Sequence, residues 1–308
     1  MSDNTEYIGK VKLDYSLYSG TDTYSDGDIE EELLNIVKDS APEDYNRIIC
    51  DRKDWAILYH LSPTRENIIS WYPMSGAKVL EIGAGCGAIT GALCRNAGMV
   101  HSIDLSSRRS LINAYRHRDA DNLEIKVGNF KDIYKALYTK YDLITLIGVL
   151  EYAKAYIGGE HPYEDMLNML KENLAPGGKI VIAIENRLGL KYFAGCLEDH
   201  IGKPFIGINQ YYDAEYGVRT FSKTELESMF GKLGFTYEFY YPYPDYKLPS
   251  VIYSDERLPR PGELNDNIRN FDNMRYVMFD ETKVFDDLIK SGSFDIFSNS
   301  FLIELGVN

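Results

Sequence analysis

Residues 79–91 read VLEIGAGCGAITG: an apolar run, a single acid, then glycine at 83, 85 and 87. Glycine at that density costs backbone entropy, so a folded chain keeps it where the backbone must go somewhere unusual. The run before it reads as a buried strand and the residues after it as a helix. The turn therefore asks which ligand needs backbone that close: a dinucleotide, a nucleoside triphosphate or another cofactor.

The pattern that begins here continues. Strands are predicted at VLEIG (79–83), MVHSIDLS (99–106), LEIKVGNF (123–130), YDLITLIGV (141–149) and KIVIAIEN (179–186). Helices fall between them at about 89–98, 107–118 and 163–174, the last ending at Pro176-Gly177-Gly178. A helix at 222–233 then leads into FTYEFYYPY (235–243), and FLIEL (301–305) reads as one more strand. Short apolar strands separated by helices indicate βαβ units and a parallel sheet covered on both faces.

The expected organisation is a helical, tyrosine-rich cover over 1–77 and a cofactor-binding core over 78–186. A cap insertion follows at 187–221, the core resumes over 222–243, a second cap insertion spans 244–299, and 300–308 carries the last core strand. Both insertions leave the C-terminal edge of the sheet, where open α/β sheets bind ligands. They are expected to form one substrate-side cap.

Composition narrows the partners. Among 308 residues the net charge is −14, with a pI near 4.9, and such a surface repels a polyanion, so no nucleic acid is expected. Arg108, Arg109, Arg116 and Arg118 are the densest basic run and read as a solvated helix face. No apolar stretch is long enough for a membrane helix and no leader pattern opens the chain, so no membrane partner is expected. Cys50, Cys86, Cys94 and Cys196 lack metal-finger spacing, which fits a reducing cytoplasm. The 25 tyrosines gather at 13–24, 211–216 and 237–253, suited to lining a pocket or to packing loops.

A P-loop would need Gly-Lys-Ser/Thr at the end of the turn, and none is there. Gly83, Gly85 and Ala88 formally meet the dinucleotide pattern, which keeps NAD as an alternative. Four features favour another cofactor. Gly87 extends the pattern to GxGxG, and Glu81 stands where a pyrophosphate would meet a carboxylate. Asp104 ends the second strand, where it can accept hydrogen bonds from ribose hydroxyls. Gly128-Asn129-Phe130 closes the third strand with groups suited to an adenine edge and face.

ExGxGxG, the acid after strand two, the Asn-Phe pair after strand three and GVLEY after strand four together resemble class I S-adenosylmethionine-dependent methyltransferases, over about residues 50–305. The resemblance implies a Rossmann-like seven-stranded, mostly parallel sheet with an antiparallel last strand, here FLIEL. It places Glu81, Gly83, Ala84 and Gly85 around the methionine portion of the cofactor. Asp104 and Leu105 fall at the ribose, Asn129 and Phe130 at the adenine, and Gly148 on the next part of the wall. A narrower resemblance lies in IENRLGLKYFAGCLEDHIG (184–202), YYPYPDYKLPSVIYSDERLP (240–259) and FSNSFLIEL (297–305). These segments are similar to a bacterial methyltransferase subfamily found with, or fused to, glycosyltransferases of surface-polysaccharide synthesis. That implies a sugar-like or glycan-linked small-molecule acceptor and an association with glycosyltransferases.

Methyl transfer is an in-line displacement at a sulfonium carbon, and an acceptor hydroxyl benefits from a base within reach. His200, in the run Glu198-Asp199-His200 after strand five, is the first candidate, with either acid able to fix its tautomer; a surface loop histidine is the competing reading. Glu151 is the second, and Tyr152 beside it faces the acceptor. Glu185 and Asn186 could order acceptor hydroxyls. Arg187 and Arg219 could receive a phosphate or carboxylate, or be salt-bridged arginines. In WAILYHLSPTRENIISWYP (55–73), a helix with Ser62-Pro63 opening its next turn, Tyr59 and His60 could close over the cofactor and Arg65 reach its carboxylate. A metal-dependent site would want an Asp after strand four and an acidic pair after strand five; Glu151 with Glu185-Asn186 imitates this poorly, so no metal is expected. A cofactor-binding protein without transferase activity is the alternative from another class.

Overall fold

Val79, Leu80, Glu81 and Ile82 are all buried, so the strand before the glycine turn is covered on both faces. In the computed structural model, which describes residues 4–22, 24–212, 216–267 and 275–307, it is the third of ten strands. They are β1 (Thr5–Ile8), β2 (Val11–Leu17), β3 (Lys78–Ile82), β4 (Met99–Asp104), β5 (Leu123–Gly128), β6 (Tyr141–Ile147), β7 (Leu174–Glu185), β8 (Phe235–Tyr243), β9 (Val251–Ser254) and β10 (Ser300–Val307). The chain divides into two units, Met1–Leu146 with Met169–Ile180, and Ile147–Asn168 with Val181–Asn308.

In the first unit the strand order is β1-β2-β5-β4-β3-β6, followed by the first half of β7. β3 pairs in parallel with β4 and β6, and β4 with β5. Hydrophobic residues on consecutive positions and connecting helices between strands lead to this arrangement. Helices Ile29–Asp39, Tyr45–Arg52 and Trp55–Leu61 bury Leu33, Val37, Tyr45, Ile57 and Leu61 against Cys86 and Ile112.

The expected count of seven strands is corrected to ten among the described residues. Two of the additional strands lie in the N-terminal segment, expected to be only a cover. Val11 and Leu13 are buried while Lys12 and Asp14 stay partly exposed, the alternation of a strand with one covered face. β2 pairs in parallel with β5 and antiparallel with β1. Lys126 on β5 meets Asp14 at 3.3 Å, and Lys12 meets Glu124 at 3.4 Å, so the polar positions are matched across the ladder. The basic helix face is corrected too. Arg109 is buried, with its guanidinium on Glu30 at 2.7 Å and on Asp26.

In the second unit the order is the last half of β7, then β10, β8 and β9. β10 runs antiparallel to β8, and β9, the third additional strand, antiparallel to β8 on its other side. Aromatic residues of β8 interlock with their neighbours: Phe239 meets Phe301 of β10 edge to face at 5.3 Å, and Tyr241 meets Phe294 of the short helix Phe294–Phe297 at 5.5 Å. The tyrosines of 237–253 mostly pack: Tyr241, Tyr243, Tyr246 and Tyr253 are buried. The cluster at 211–216 lies partly outside the described residues. β7 starts earlier than its apolar run, because helix Pro162–Asn173 ends with the Asn173 amide donating to the Met169 carbonyl at 2.9 Å and the chain extends at once.

Segments 187–221 and 244–299 meet within this unit. Lys191 is 3.7 Å from Asp245, Lys247 pairs with Asp199, and the Met278 amide donates to the Ala194 carbonyl at 3.1 Å.

Candidate functional site

The first unit carries the glycine turn. Gly83, Gly85 and Gly87 all have positive φ, at 69°, 54° and 76°. At Gly87 a Cβ would stand 2.3 Å from Asn113 Oδ1, so that glycine serves packing against helix Ser107–Arg116. At Gly85 a Cβ would meet nothing within 4 Å, leaving its backbone face open. Asp104, buried at the end of β4, accepts from the Gly85 amide at 2.8 Å and from the Ser106 amide at 2.9 Å. Burial raises its carboxyl despite these bonds.

Glu81 is 1% exposed, and its Oε2 accepts from Thr90 Oγ1 at 2.8 Å and Ser102 Oγ at 2.5 Å, so it braces β3 against β4 and the following helix. Its Oε1 has no hydrogen-bond partner among the described residues, and burial pushes the carboxyl up to about 7. Ala84 is buried and Leu105 half-buried beside them. Asn129 caps the helix Phe130–Ile133 by accepting from the Lys131 amide at 3.0 Å, and Phe130 is buried. Arg65 is buried over the Tyr59 ring, 4.2 Å from its centroid, and donates to its hydroxyl at 3.2 Å. His60 is held by Asp26 at 2.9 Å.

The second unit brings Glu151, Glu185 and His200 together, with donor atoms within 4.8 Å of one another. His200 is no surface histidine: its side chain is 7% exposed. Nδ1 lies 3.0 Å from Glu198 Oε1, while Nε2 faces Glu151 at 3.5 Å and Glu185 at 3.8 Å. Of the two acids beside it, Glu198 fixes the ring, also accepting from the amides of His200 and Ile201 at 2.9 and 2.7 Å. Asp199 turns instead to Lys191, Lys247 and Tyr192. Lys247 also meets Glu185 Oε1 at 2.9 Å, and Tyr246 donates to the same oxygen at 3.2 Å. The tyrosine hydroxyl itself sits below Gly148, where a Cβ would be 2.7 Å from it. Tyr152 stands edge-on to the His200 ring at 5.3 Å.

Burial would lower the His200 imidazole, but Glu185, Glu151 and Glu198 together hold it well above its ordinary value. Burial and the Glu185 charge raise Glu151. Glu185 and Asp199 are held down against burial by their lysines. As an imidazolium, His200 has no lone pair at Nε2, so in that state Glu151 is the proton acceptor of the pair.

The remaining predicted residues are tied into the structure. Asn186 donates to the carbonyls of Ile296 and Ser298, both at 2.7 Å, and accepts from the Leu188 amide. Arg187 and Arg219 both pair with Glu225, the first at 2.6 Å. Lys191 and Lys247 escaped the sequence reading, and Asp199 was expected beside His200, not on these lysines. Their pairing joins positions up to 48 residues apart and leaves no local pattern.

Comparison with known proteins places the glycine turn in context. The family described as "Methyltransferase domain" matches residues 80–180. A ubiquinone biosynthesis O-methyltransferase from Xylella fastidiosa is 27% identical over 134 residues, 42% of this chain and 51% of that protein. A cobalt-precorrin-6B C(15)-methyltransferase assignment from Methanococcus maripaludis is 28% identical over 96 residues, 30% and 46% of the two chains. The chain thus spans about half the length of the curated relatives it matches. The N-methyltransferase NodS from Bradyrhizobium japonicum superposes with a TM-score of 0.44 at 14% identity, over 80% of this chain and 93% of that one. Residues 80–180 are thus similar to methyltransferase domains. No helix among the described residues is long and apolar enough to cross a membrane.

Proposed function

We propose that the protein is an S-adenosylmethionine-dependent methyltransferase acting on a hydroxyl of a sugar-like acceptor, free or glycan-linked. The observation that carries the cofactor assignment is the Asp104–Gly85 bond within a methyltransferase-type segment. It fixes a carboxylate for ribose hydroxyls beside a turn whose Gly85 face is open. Glu81, Gly83 and Ala84 would border the cofactor's methionine portion, with Leu105 beside Asp104 at the ribose.

The relatives are named for transfer to oxygen, carbon and nitrogen, so the acceptor atom is argued from chemistry. A hydroxyl is too weak an acid to lose its proton unaided near neutral pH, and a proton-handling cluster suits it. Glu151 and His200 are assigned that role, with Tyr152 and Glu185 shaping the acceptor's place. The paired lysines beneath keep Glu185 charged. A reducing cytoplasm suits cysteines that lack metal-finger spacing, and the resemblance carried by 184–202, 240–259 and 297–305 implies an association with glycosyltransferases.

The test is incubation with methyl-labelled S-adenosylmethionine against panels of sugars, sugar nucleotides and oligosaccharides, read by mass spectrometry. Label on an acceptor oxygen is the expected result. Label on nitrogen or carbon alone would overturn the acceptor assignment, and no binding of S-adenosylmethionine would overturn the whole reading.

A further inference from the structure

Glu151 is 1% exposed and Glu185 0% exposed, yet three of their four carboxylate oxygens have no hydrogen-bond partner among the described residues. A buried carboxylate oxygen left in this way is costly, and native structures seldom tolerate it without a ligand, ion or water. These oxygens are both of Glu151 and Oε2 of Glu185, and the Glu185 oxygen and Oε1 of Glu151 are the ones facing His200 Nε2.

The spacing is informative. At 3.5 and 3.8 Å, the His200 contacts are too long for good hydrogen bonds. Two donors each about 2.1 Å from one zinc ion at a tetrahedral angle stand about 3.4 Å apart. The surrounding groups are arranged as a metal's outer shell would be. Glu198 takes His200 Nδ1 and leaves Nε2 as the coordinating atom, the carboxylate–histidine arrangement that orients metal-bound imidazoles. Lys247 and Tyr246 hold Glu185 by Oε1 and leave Oε2 free.

We propose that Glu151, Glu185 and His200 bind one divalent transition-metal ion, with zinc the best match. An imidazole with two carboxylates suits zinc, whereas magnesium and calcium prefer oxygen alone. Three protein ligands leave a coordination position open, as in catalytic rather than structural zinc sites. Zinc would displace the proton from His200 Nε2 and take the place of the proton handling given to Glu151 and His200; the test measures metal and not methyl transfer, so the two readings fail separately.

The protein is stripped with a chelator, dialysed, and titrated with zinc by calorimetry, with bound metal counted by elemental analysis. One ion per chain is expected, lost in the double variant Glu151→Gln/His200→Gln. Glu198→Gln, which touches only the outer shell, should weaken zinc about 10–100-fold. Circular dichroism checks that each variant is folded. Cobalt(II) in the unaltered protein gives a second measurement: a visible spectrum of tetrahedral type without a thiolate charge-transfer band. No saturable zinc binding, or uptake retained by a folded double variant, would overturn the proposal, as would a cobalt spectrum showing thiolate ligation.

Discussion

The carboxylate of Asp104 accepts a hydrogen bond from the amide of Gly85 at 2.8 Å, although the two residues lie 19 positions apart. The end of β4 thereby holds the turn after β3 in place. Asp104→Ala removes this bond, the one to Ser106 and any bond to a ribose hydroxyl. Affinity for S-adenosylmethionine should fall by about 1.5–3 kcal/mol, the worth of hydrogen bonds to a charged group. Calorimetry on wild type and variant reads this directly, and wild type that bound NAD in place of S-adenosylmethionine would end the reading.

Glu81 predicts a pH dependence of stability. Burial raises its folded-state value from 4.5 to about 7, so the folded protein holds a proton that the unfolded chain has released. Stability from this group is fully present below pH 4.5 and is lost as pH rises toward about 7. A difference of that size is worth about 3 kcal/mol. Glu81→Gln should flatten the denaturation profile in this window; a variant profile as steep as that of wild type would contradict the assignment.

His200→Ala should leave cofactor affinity unchanged and lower turnover on the acceptor by roughly 10²–10⁴-fold. Glu151→Gln should act in the same direction. Single-turnover kinetics separate binding from chemistry, and an His200→Ala enzyme with unchanged turnover would remove the cluster from the mechanism.

Lys247→Met should destabilise the fold strongly. It leaves Glu185, 0% exposed, without its nearest cation and deprives Asp199 of one of its two lysines. Breaking a buried pair from one side costs about 3–5 kcal/mol. The midpoint of urea unfolding measures it, and a shift equivalent to under about 1 kcal/mol would mean the charges relax to water.

Much of the frame was legible because its signals are local. FTYEFYYPY gives β8 at both ends, and the runs at 79, 99, 123 and 141 give β3 to β6 within two residues. Ser222 with Glu225 forms the capping box that opens helix Lys223–Lys232. The hairpin of β1 and β2 was lost because VKLDY is short and its partner, β5, lies more than 100 residues away. In the site, Glu151 and Glu185 were readable from the ends of strands, and His200 from the acidic run that follows the fifth predicted strand. The role of Asp199 was not, because the lysines that claim it come from distant turns. Nor was the saturation of Asn186 by two carbonyls over 100 positions on.

The hairpin has a consequence for how the chain survives in a crowded solution. Without it, β5 would be the outer strand of its sheet, offering an unpaired row of amides and carbonyls to any passing strand. β2 covers that row, and the new margin is β1, only four residues long and largely exposed, with Glu6 at its middle. A short, charged margin is a poor template for pairing between molecules. The first residues of the chain thus act as a selvedge, finishing the sheet so that it does not fray into its neighbours.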